Sequence, residues 1–289
     1  MPLPSDLPVV DHHCHLSPSG EGVGAARRFR AAGGTHLFLT TQNYAGGPIT
    51  RLAQYREQFD TTVGLAESLR REAGVVAYAV VAPYPVDLLG ALQHLDLPSA
   101  MELHRAALDL AGRFVAEEKA VALGEVGRPH FPVSPEVAAA TEELFQHALE
   151  VARDAGCPAV VHSEDLDASG FRSLAATAAR ANFPLERLVK HYAREVRPTE
   201  ERLGIVPSYV ARRELVKASL HETGPWFWET DFLDDPKRPG AVLDLATVPR
   251  RAQALSTDPS SVERLRIPFV ESVQKVYGLS LTMPGEASG

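Results

Sequence analysis

Three things are scarce in this chain: cysteines, long apolar runs and basic residues. Two cysteines in 289 residues are too few for the disulfide framework of a small secreted protein. No apolar run reaches the ~18 residues that a membrane-spanning helix requires. Residues 1–6 also lack the basic and apolar regions of a secretory signal, so we expect a cytoplasmic protein with no membrane association.

The net charge of -8 argues against the broad basic surface with which proteins bind nucleic acid through counterion release. It is compatible with a local basic patch, or with a metal ion that carries the positive charge. Hydrophobic residues make up 45% and charged residues 23% of the chain, as in a globular protein with ample material for a core. Because α/β barrels of ~250 residues are ordinary single domains, we predict one domain over residues 1–289.

Short β-rich runs alternate with longer amphipathic runs along the chain, which is the pattern of βα units around a parallel sheet. Eight such units predict an α/β fold of the (β/α)8 TIM-barrel type. The predicted strands cover residues 8–16, 35–41, 75–82, 120–127, 159–163, 188–192, 205–209 and 226–232. Such barrels keep their chemistry at the C-terminal ends of the strands, so the residues that end these runs are the first candidates for function.

The predicted helices follow the strands, and several stop at a glycine, as at Gly74, Gly156 and Gly204. They cover residues 24–32, 49–72, 87–95, 101–118, 135–155, 168–181, 194–203 and 211–222. Extra C-terminal helices are predicted from about residue 241, over residues 241–246, 249–255 and 260–277, before a frayed tail from residue 284. Residues 83–98 are the nearest to an insertion, and we expect a loop over the barrel mouth there.

The first predicted strand carries three polar side chains with alternate spacing. Because a strand places every second side chain on the same side, Asp11, His13 and His15 are expected to point the same way. Cys14 on the other face fits the layer that helices cover, whereas His12 is interpreted as a histidine at the strand edge or against a helix. Two imidazoles this close form half of a divalent-metal site.

Four more predicted strands end in a residue that can bind a metal ion. These residues are Glu125 in the fourth strand, His162 in the fifth, His191 in the sixth and Asp231 in the eighth. A carboxylate or imidazole buried at a strand end is costly unless it is paired, hydrogen-bonded or bound to metal. Strands that all end in this way therefore predict a shared partner.

Four histidines and two carboxylates suffice for two divalent metal ions bridged by one carboxylate. Chain order suggests Glu125 as the bridge, and Asp231 as the general base that takes a proton from the attacking water. The expected ligands are His13, His15 and Asp231 for one ion, and His162 and His191 for the other. Mixed imidazole and carboxylate ligation suits Zn, Mn, Mg, Fe or Ni.

Taken together, these motifs resemble those of the TatD-type metal-dependent hydrolases of the amidohydrolase superfamily, in particular a divergent, archaeal-type branch. The matching segments are residues 11–16 (Asp-His-His-Cys-His-Leu), 124–127 (Gly-Glu-Val-Gly), His162, His191 and residues 229–231 (Glu-Thr-Asp). They occur in the family's order and span residues 8–233. The resemblance implies a TIM barrel with a binuclear metal site and hydrolysis of phosphoester bonds, in many relatives those of DNA.

Three positions depart from the TatD-type pattern, and all concern the substrate. The family usually continues its fourth-strand motif with Leu-Asp, where this chain has residues 128–130 (Arg-Pro-His). It usually has an arginine two residues after the fifth-strand histidine, where Glu164 stands here. Residues 82–85 (Ala-Pro-Tyr-Pro) replace the Gly-x-His-Pro typical after the third strand. Phosphate-binding groups of the family are therefore missing or moved.

Further candidates flank the predicted ligands. Arg128 and His130 follow the fourth strand and are expected either to contact an anionic substrate or to cap their loop. Glu164 either orients His162 or lies in a solvated loop. The last two candidates come from the strands themselves. Asp11 and Glu229 lie one layer deeper than the ligands, so we expect them to support ligands rather than to bind metal.

The sequence thus predicts a divalent-metal-dependent hydrolase that acts on a small-molecule or nucleic-acid phosphoester, including phosphodiesterase or DNase activity. It indicates no obligate protein partner. One alternative is an amide, lactone or cyclic-amide hydrolase, because Glu164 replaces the family's arginine and the net charge is -8. A second alternative is a non-catalytic metal-binding barrel, although a barrel without turnover has no physical need for so many buried ligand residues.

Overall fold

The structure, a computed structural model, describes residues 2–238 and 241–285. Its centre is a parallel sheet in which the first eight strands follow one another in chain order. The strands are β1 (Val10–His15), β2 (His36–Thr40), β3 (Val76–Val81), β4 (Ala122–Gly127), β5 (Ala159–His162), β6 (Leu188–Ala193), β7 (Val206–Val210), β8 (Phe227–Glu229) and β9 (Phe232–Leu233). Each predicted run overlaps one of the first eight strands, so the repeated βα pattern is confirmed.

The segment after β7 closes the sheet into a barrel. β8 pairs with β7, and after Thr230 and Asp231 the same segment continues as β9, which pairs with β1 in parallel. Between the two strands, the Asp231 N–H donates to the carbonyl of His13 at 3.0 Å. The fold is therefore the predicted (β/α)8 TIM barrel.

Helices cover the outside of the barrel. They are α1 (Val23–Ala31), α2 (Leu52–Ala73), α3 (Asp87–Ala91), α4 (Leu97–Ala116), α5 (Pro135–Asp154), α6 (Ala168–Arg180), α7 (Thr199–Arg202), α8 (Arg213–Ser219), α9 (Thr247–Leu255), α10 (Pro259–Arg264) and α11 (Ser272–Tyr277). Asp96 and Ser134 cap α4 and α5, where their side chains accept backbone N–H groups of the first turn. Within the described ranges, no helix is both long and apolar enough to cross a membrane.

The largest departures from the predicted helices lie at residues 241–246 and 194–203. Residues 241–246 contain no helix, because the Asp244 carboxylate accepts the Ala246 N–H in a turn, and the extra C-terminal helices begin at Thr247. The helix predicted over residues 194–203 is reduced to α7. Pro198 disfavours helical geometry in the residue before it, so the helix can start only afterwards. Most of the predicted frayed tail falls on residues 286–289, outside the described residues.

A β-bulge in β1 changes which side chains share a face. Asp11 is in register with Leu37 and Cys14 with Leu39, so β1 contains one extra residue between these two pairs. Asp11 and Cys14 consequently lie on the same side of the sheet, and Cys14 packs against α1 as predicted. The prediction that Asp11 shares a face with His13 is therefore wrong, because strict alternation does not hold across the bulge.

The same bulge directs His12 into the barrel. Its ring stacks on Phe227 with ring centroids 3.9 Å apart, and its Nδ1 lies 3.1 Å from the hydroxyl of Ser208 on β7. Its Nε2 lies 2.6 Å from the hydroxyl of Tyr277 in α11. The expected contact with a helix is present, and it reaches a helix of the C-terminal extension.

Candidate metal centre

The predicted ligands converge at the C-terminal ends of the strands, beside a cavity of about 1080 Å³. The ligands that line this cavity are His15, Glu125, His162, His191 and Asp231. The sixth, His13, is fully buried and contacts Glu125. The barrel thus brings all six side chains together from β1, β4, β5, β6 and the end of β8, as the strand-end argument predicted.

Glu125 occupies the centre of this group. Its Oε1 is 3.1 Å from His13 Nε2 and 2.9 Å from His191 Nε2. The same oxygen is 3.9 Å from His15 Nε2 and 3.7 Å from His162 Nδ1. One carboxylate oxygen therefore faces imidazoles of both predicted ligand groups.

The ligand atoms form two compact groups on either side of Glu125. Among the described residues there are three groups whose ligand atoms lie within 4.8 Å of one another, and two of them consist of predicted ligands: His13, His15 and Asp231, and Glu125, His162 and His191. In the first group the two Nε2 atoms of His13 and His15 are 3.1 Å apart. In the second, His162 Nδ1 is 3.2 Å from His191 Nε2. These are the groups that chain order suggested.

Asp11 holds the segment that carries Asp231. Its carboxylate accepts the Thr230 N–H at 3.0 Å and the Thr230 hydroxyl at 2.6 Å, and it also accepts the His13 N–H at 3.2 Å. Asp231 follows with a φ of 47°, in the left-handed region that non-glycine residues rarely adopt. Its Oδ1 lies 3.7 Å from His15 Nε2. Asp11 therefore contacts Thr230 and the backbone N–H of His13 rather than the ligand atoms.

Glu229 supports His191 from the far side of the imidazole. Its Oε1 is 3.3 Å from His191 Nδ1 and accepts the Tyr192 N–H at 2.8 Å. Its Oε2 is buried without a hydrogen-bond partner among the described residues. Because Glu229 also forms a compact group with His13 and His191, its geometry is compatible with either support or ligation. A carboxylate on the second ring nitrogen fixes the orientation of a metal-binding histidine.

Opposite charges couple Glu125 and His191. Burial alone would raise the pKa of Glu125, but His191, His162 and the hydrogen bond to His13 outweigh it and hold that pKa well below its ordinary value. Burial would lower the pKa of His191, but Glu125 and Glu229 raise it to about 10. Burial would also raise the pKa of Glu229, and the hydrogen bond and charge of His191 instead lower it to about 2. Both glutamates are therefore ionised at neutral pH.

Burial decides the pKa values of the outer ligands, because the nearby charges do not outweigh it. It lowers the pKa of His15 to about 4 and lowers that of His162, so both imidazoles are neutral at pH 7 with a free nitrogen lone pair. It raises the pKa of Asp231 to about 7, although His191 and His13 partly oppose the shift. Asp231 can therefore exchange a proton near neutrality.

This donor set fits divalent metal ions. The Nε2 atoms of His13 and His15 lie 3.1 Å apart, and Glu125 and Glu229 are ionised in the interior. The orphaned Oε2 of Glu229 adds a buried anionic atom without a partner. Buried charges are normally paired or bound to metal, and mixed imidazole and carboxylate donors suit several divalent cations.

Arg128 and Glu164 form an ion pair with each other. The Arg128 Nε donates to one Glu164 oxygen at 3.1 Å, its second terminal nitrogen lies 3.0 Å from the other, and its first donates to Ser173. Glu164 lines the cavity but Arg128 does not. Arg128 therefore holds Glu164 in place, and its predicted contact with a substrate stays a prediction. Among the described residues, no hydrogen bond or ion pair joins Glu164 to His162.

His130 and Tyr84 both meet the outer nitrogen of His162. His130 Nδ1 lies 2.9 Å and the Tyr84 hydroxyl 3.1 Å from His162 Nε2, which leaves Nδ1 facing Glu125. Sequence reasoning placed His130 near a substrate and gave Tyr84 no role. The available signal was the position of Tyr84 just after β3, in the loop expected at the barrel mouth.

Sequence reasoning also missed Asp234, which fastens the loop after β1. Its carboxylate accepts the N–H groups of Ser17, Glu21 and Gly22 at 3.0, 2.8 and 2.8 Å. A Cβ on Gly20 would lie 2.2 Å from an Asp234 oxygen, so this close approach requires glycine. Nothing in the spacing of the motifs predicts such a contact, because its partners are 212 to 217 residues apart in the chain.

Known proteins share this arrangement at the level of sequence and fold. Residues 10–278 match the family model described as TatD related DNase. An uncharacterized protein of Methanocaldococcus jannaschii is 31% identical over 98% of this chain and 100% of its own length. A TatD-like protein of Archaeoglobus fulgidus superposes with a TM-score of 0.63 at 15% identity, covering 93% of this chain and 100% of that one. A TatD homologue of Escherichia coli superposes with a TM-score of 0.61 at 17% sequence identity. The superposition covers 93% of this chain and 98% of that one.

The barrel and the histidine–carboxylate cluster at its strand ends define the class of metal-dependent hydrolases. The match over residues 10–278 identifies the family within this class: the chain belongs to the TatD-related DNase family. The resemblance drawn from the strand motifs is therefore confirmed, and so is the expectation of a metal-dependent hydrolase. Divalent metal use follows from the family, and the two ligand groups are the candidate sites.

Proposed function

We propose that this chain hydrolyses phosphoester bonds at a centre of two divalent metal ions bridged by Glu125. One observation carries the proposal: a single Glu125 oxygen lies 3.1 Å from His13 Nε2 and 2.9 Å from His191 Nε2, between the two ligand groups. The remaining ligands would be His15 and Asp231 on one side and His162 on the other. Zn, Mn, Mg, Fe and Ni all suit such donors.

Different residues of the chain would then have different roles in hydrolysis. Two divalent ions, when bound, supply Lewis-acid polarisation of the phosphoryl oxygen and ease deprotonation of water. Asp231 would accept the proton of the attacking water at a carboxylate oxygen, since it lines the cavity and its Oδ1 lies 3.7 Å from His15 Nε2. Asp11 would hold Asp231 in place through its hydrogen bonds to Thr230.

The cavity wall favours a compact substrate over a long polyanion. Two of its cationic side chains are already neutralised, Arg194 by Asp165 at 3.1 Å and Arg238 by Asp235 at 3.2 Å. The cavity of about 1080 Å³ is slightly larger than the ~300–1,000 Å³ typical of small-molecule sites. We therefore favour small phosphomonoesters or phosphodiesters over DNA as the preferred substrate.

A second candidate function is hydrolysis of amides, lactones or cyclic amides. It is favoured by the carboxylate of Glu164, which lies in the cavity wall and forms a bidentate ion pair with Arg128, so this arginine is already paired with a carboxylate. The same proposed metal centre would serve either bond, because water is activated in the same way. The phosphoester is placed first because the family model describes DNases.

A substrate panel on metal-defined protein tests the proposal. Chelator-stripped protein is reloaded separately with each candidate metal and supplied with a phosphomonoester, a phosphodiester, single-stranded DNA, a lactone and a cyclic amide. We expect the fastest turnover on a small phosphoester and none in the stripped protein. Turnover confined to the lactone or the cyclic amide would replace the proposal by the second candidate. Silence of fully loaded protein on every substrate would favour a non-catalytic barrel.

A further inference from the structure

A second cavity, of about 470 Å³, lies beside the candidate metal centre, between the loops that follow β5 and β6. It shares Asp165, Tyr192 and Arg194 with the first cavity. The ammonium side chain of Lys190 forms part of its wall, and Lys190 is only 3% exposed.

Lys190 carries a charge with no paired carboxylate. Its Nζ donates to the backbone carbonyls of His191 at 2.7 Å and Ser163 at 3.4 Å, which accounts for two of its three protons. Among the described residues, Lys190 forms no ion pair within 4.0 Å. A buried ammonium without a counter-ion is costly unless an anion or a full set of acceptors satisfies it.

The carboxylates that line this second cavity form ion pairs or hydrogen bonds with groups other than Lys190. Asp165 pairs with Arg194 at 3.1 Å, and Glu195 pairs with Arg197 at 2.6 Å. The third, Asp167, caps α6 by accepting the Gly170 N–H, and its charge is stabilised by that helix N-terminus. Lys190 is therefore the cation of this wall that lacks a counter-ion, and the two arginines can add hydrogen bonds at the cavity mouth.

We propose that this cavity binds an oxyanion, a phosphate or carboxylate group, against the Lys190 ammonium. A bulge in β6 creates the space, because Lys190 pairs with Pro207 and Ala193 with Tyr209, which leaves an extra residue in β6. Tyr192 within the bulge has a φ of 56°. The bound group is either a free ion or the remote phosphate of an organic molecule. This site is independent of the proposed hydrolysis.

Phosphate binding to chelator-treated full-length protein tests the site without any turnover. Calorimetry with inorganic phosphate is compared for the wild type, Lys190→Met and the control Lys217→Met, which removes an exposed lysine on α8. We expect binding about tenfold or more weaker in Lys190→Met and unchanged in the control, since a charge-assisted hydrogen bond is lost. Equal binding by Lys190→Met and the wild type, or no binding by the wild type at millimolar phosphate, overturns the proposal.

A second variant covers the case in which Lys190→Met does not fold, because Lys190 also holds two backbone carbonyls. Ala193→Val keeps the ammonium and adds bulk at the cavity wall. We expect it to weaken phosphate binding several-fold, and unchanged binding by a folded Ala193→Val protein counts against the site when Lys190→Met is unusable. Glycerol 3-phosphate distinguishes the sources: tighter binding than inorganic phosphate indicates an esterified phosphate, and weaker binding indicates a free ion.

Discussion

Glu125 and His191 join β4 to β6 through a carboxylate–imidazole contact of 2.9 Å in the barrel interior. His191 is held on its other side as well, where Nδ1 lies 3.3 Å from Glu229. Its ring stacks on His13 with ring centroids 4.2 Å apart. Because both nitrogens and one face of this imidazole are in contact, its position is fixed before any ligand binds, which is what a preorganised metal centre requires.

Replacing Glu125 with Gln should reduce metal binding in both ligand groups. The amide keeps the shape of the side chain but removes the charge that one oxygen presents to His13 and His191. We expect turnover to fall by about 100-fold or more. The metal content per chain is measured for this variant and for Glu57→Gln, an exposed glutamate on α2, as the matched control. A full load of two ions in Glu125→Gln would exclude the bridging role.

Replacing Asp231 with Asn should remove the proposed general base while the protein keeps part of its metal. General bases contribute about 10² to 10⁴ in rate, so turnover should fall within that range. The experiment measures kcat and metal content side by side, with the exposed Asp60→Asn on α2 as the control. Unchanged turnover in Asp231→Asn would remove this residue from the mechanism.

Replacing Glu229 with Gln separates support of a ligand from ligation. If Glu229 only orients His191, metal affinity should fall by about 10- to 100-fold and turnover should return at saturating metal. The metal dependence of turnover gives both quantities from one titration. A permanent loss of one ion at saturating metal would instead assign Glu229 as a ligand, which its compact group with His13 and His191 allows.

Replacing Tyr84 with Phe tests the contact that sequence reasoning missed. The variant removes the hydroxyl that lies 3.1 Å from His162 Nε2, and His130 stays 2.9 Å from the same nitrogen. We expect a several-fold loss of metal affinity in Tyr84→Phe and a similar loss in His130→Asn. In the double variant, the loss of metal-binding free energy should exceed the sum of the two single losses. Strict additivity would mean that the two residues do not share His162.

Histidine burial away from the centre predicts how stability depends on pH. Burial lowers the pKa of His104 in α4 to about 3, whereas an unfolded chain has its ordinary value near 6.5. Between these two pKa values only the unfolded chain binds the proton. The contribution of His104 to the free energy of unfolding is therefore complete above pH 6.5 and is lost as the pH falls. Compared with pH 7, the free energy of unfolding at pH 5 should fall by about 2 kcal/mol through His104 alone.

Urea unfolding with chelator present, at both pH values, measures this loss. Between pH 7 and pH 5, the free energy of unfolding of His104→Phe should fall by about 2 kcal/mol less than that of the wild type. His94 is exposed and lies before α4, so His94→Phe should behave as the wild type. Equal pH dependence in the wild type and His104→Phe would mean that His104 is protonated in the folded protein.

The fold and the six ligand candidates could be predicted from the sequence because both follow from strand periodicity. A parallel barrel gathers the C-terminal ends of its strands at one rim, so polar residues that end apolar runs must meet there. Glu125 and His191 are 66 residues apart by number, yet each ends its own strand, and that property alone predicted their contact.

The departures from prediction have a common physical origin in irregular backbone. The bulges in β1 and β6 each add a residue, which moved Asp11 off the predicted face and opened the space next to Lys190. Local patterns do not reveal a bulge, because it is set by pairing with the neighbouring strand. The contacts of Tyr84 and Asp234 likewise join loops distant in sequence, where no periodicity operates.

Metal titration of turnover tests the central claim most directly. Chelator-stripped protein is titrated with one divalent metal while bound metal per chain and phosphodiester turnover are recorded together. We predict that binding saturates at two ions per chain and that turnover rises with the second ion. Full turnover at one ion per chain, with no further binding, would contradict a bridged pair of metals at Glu125.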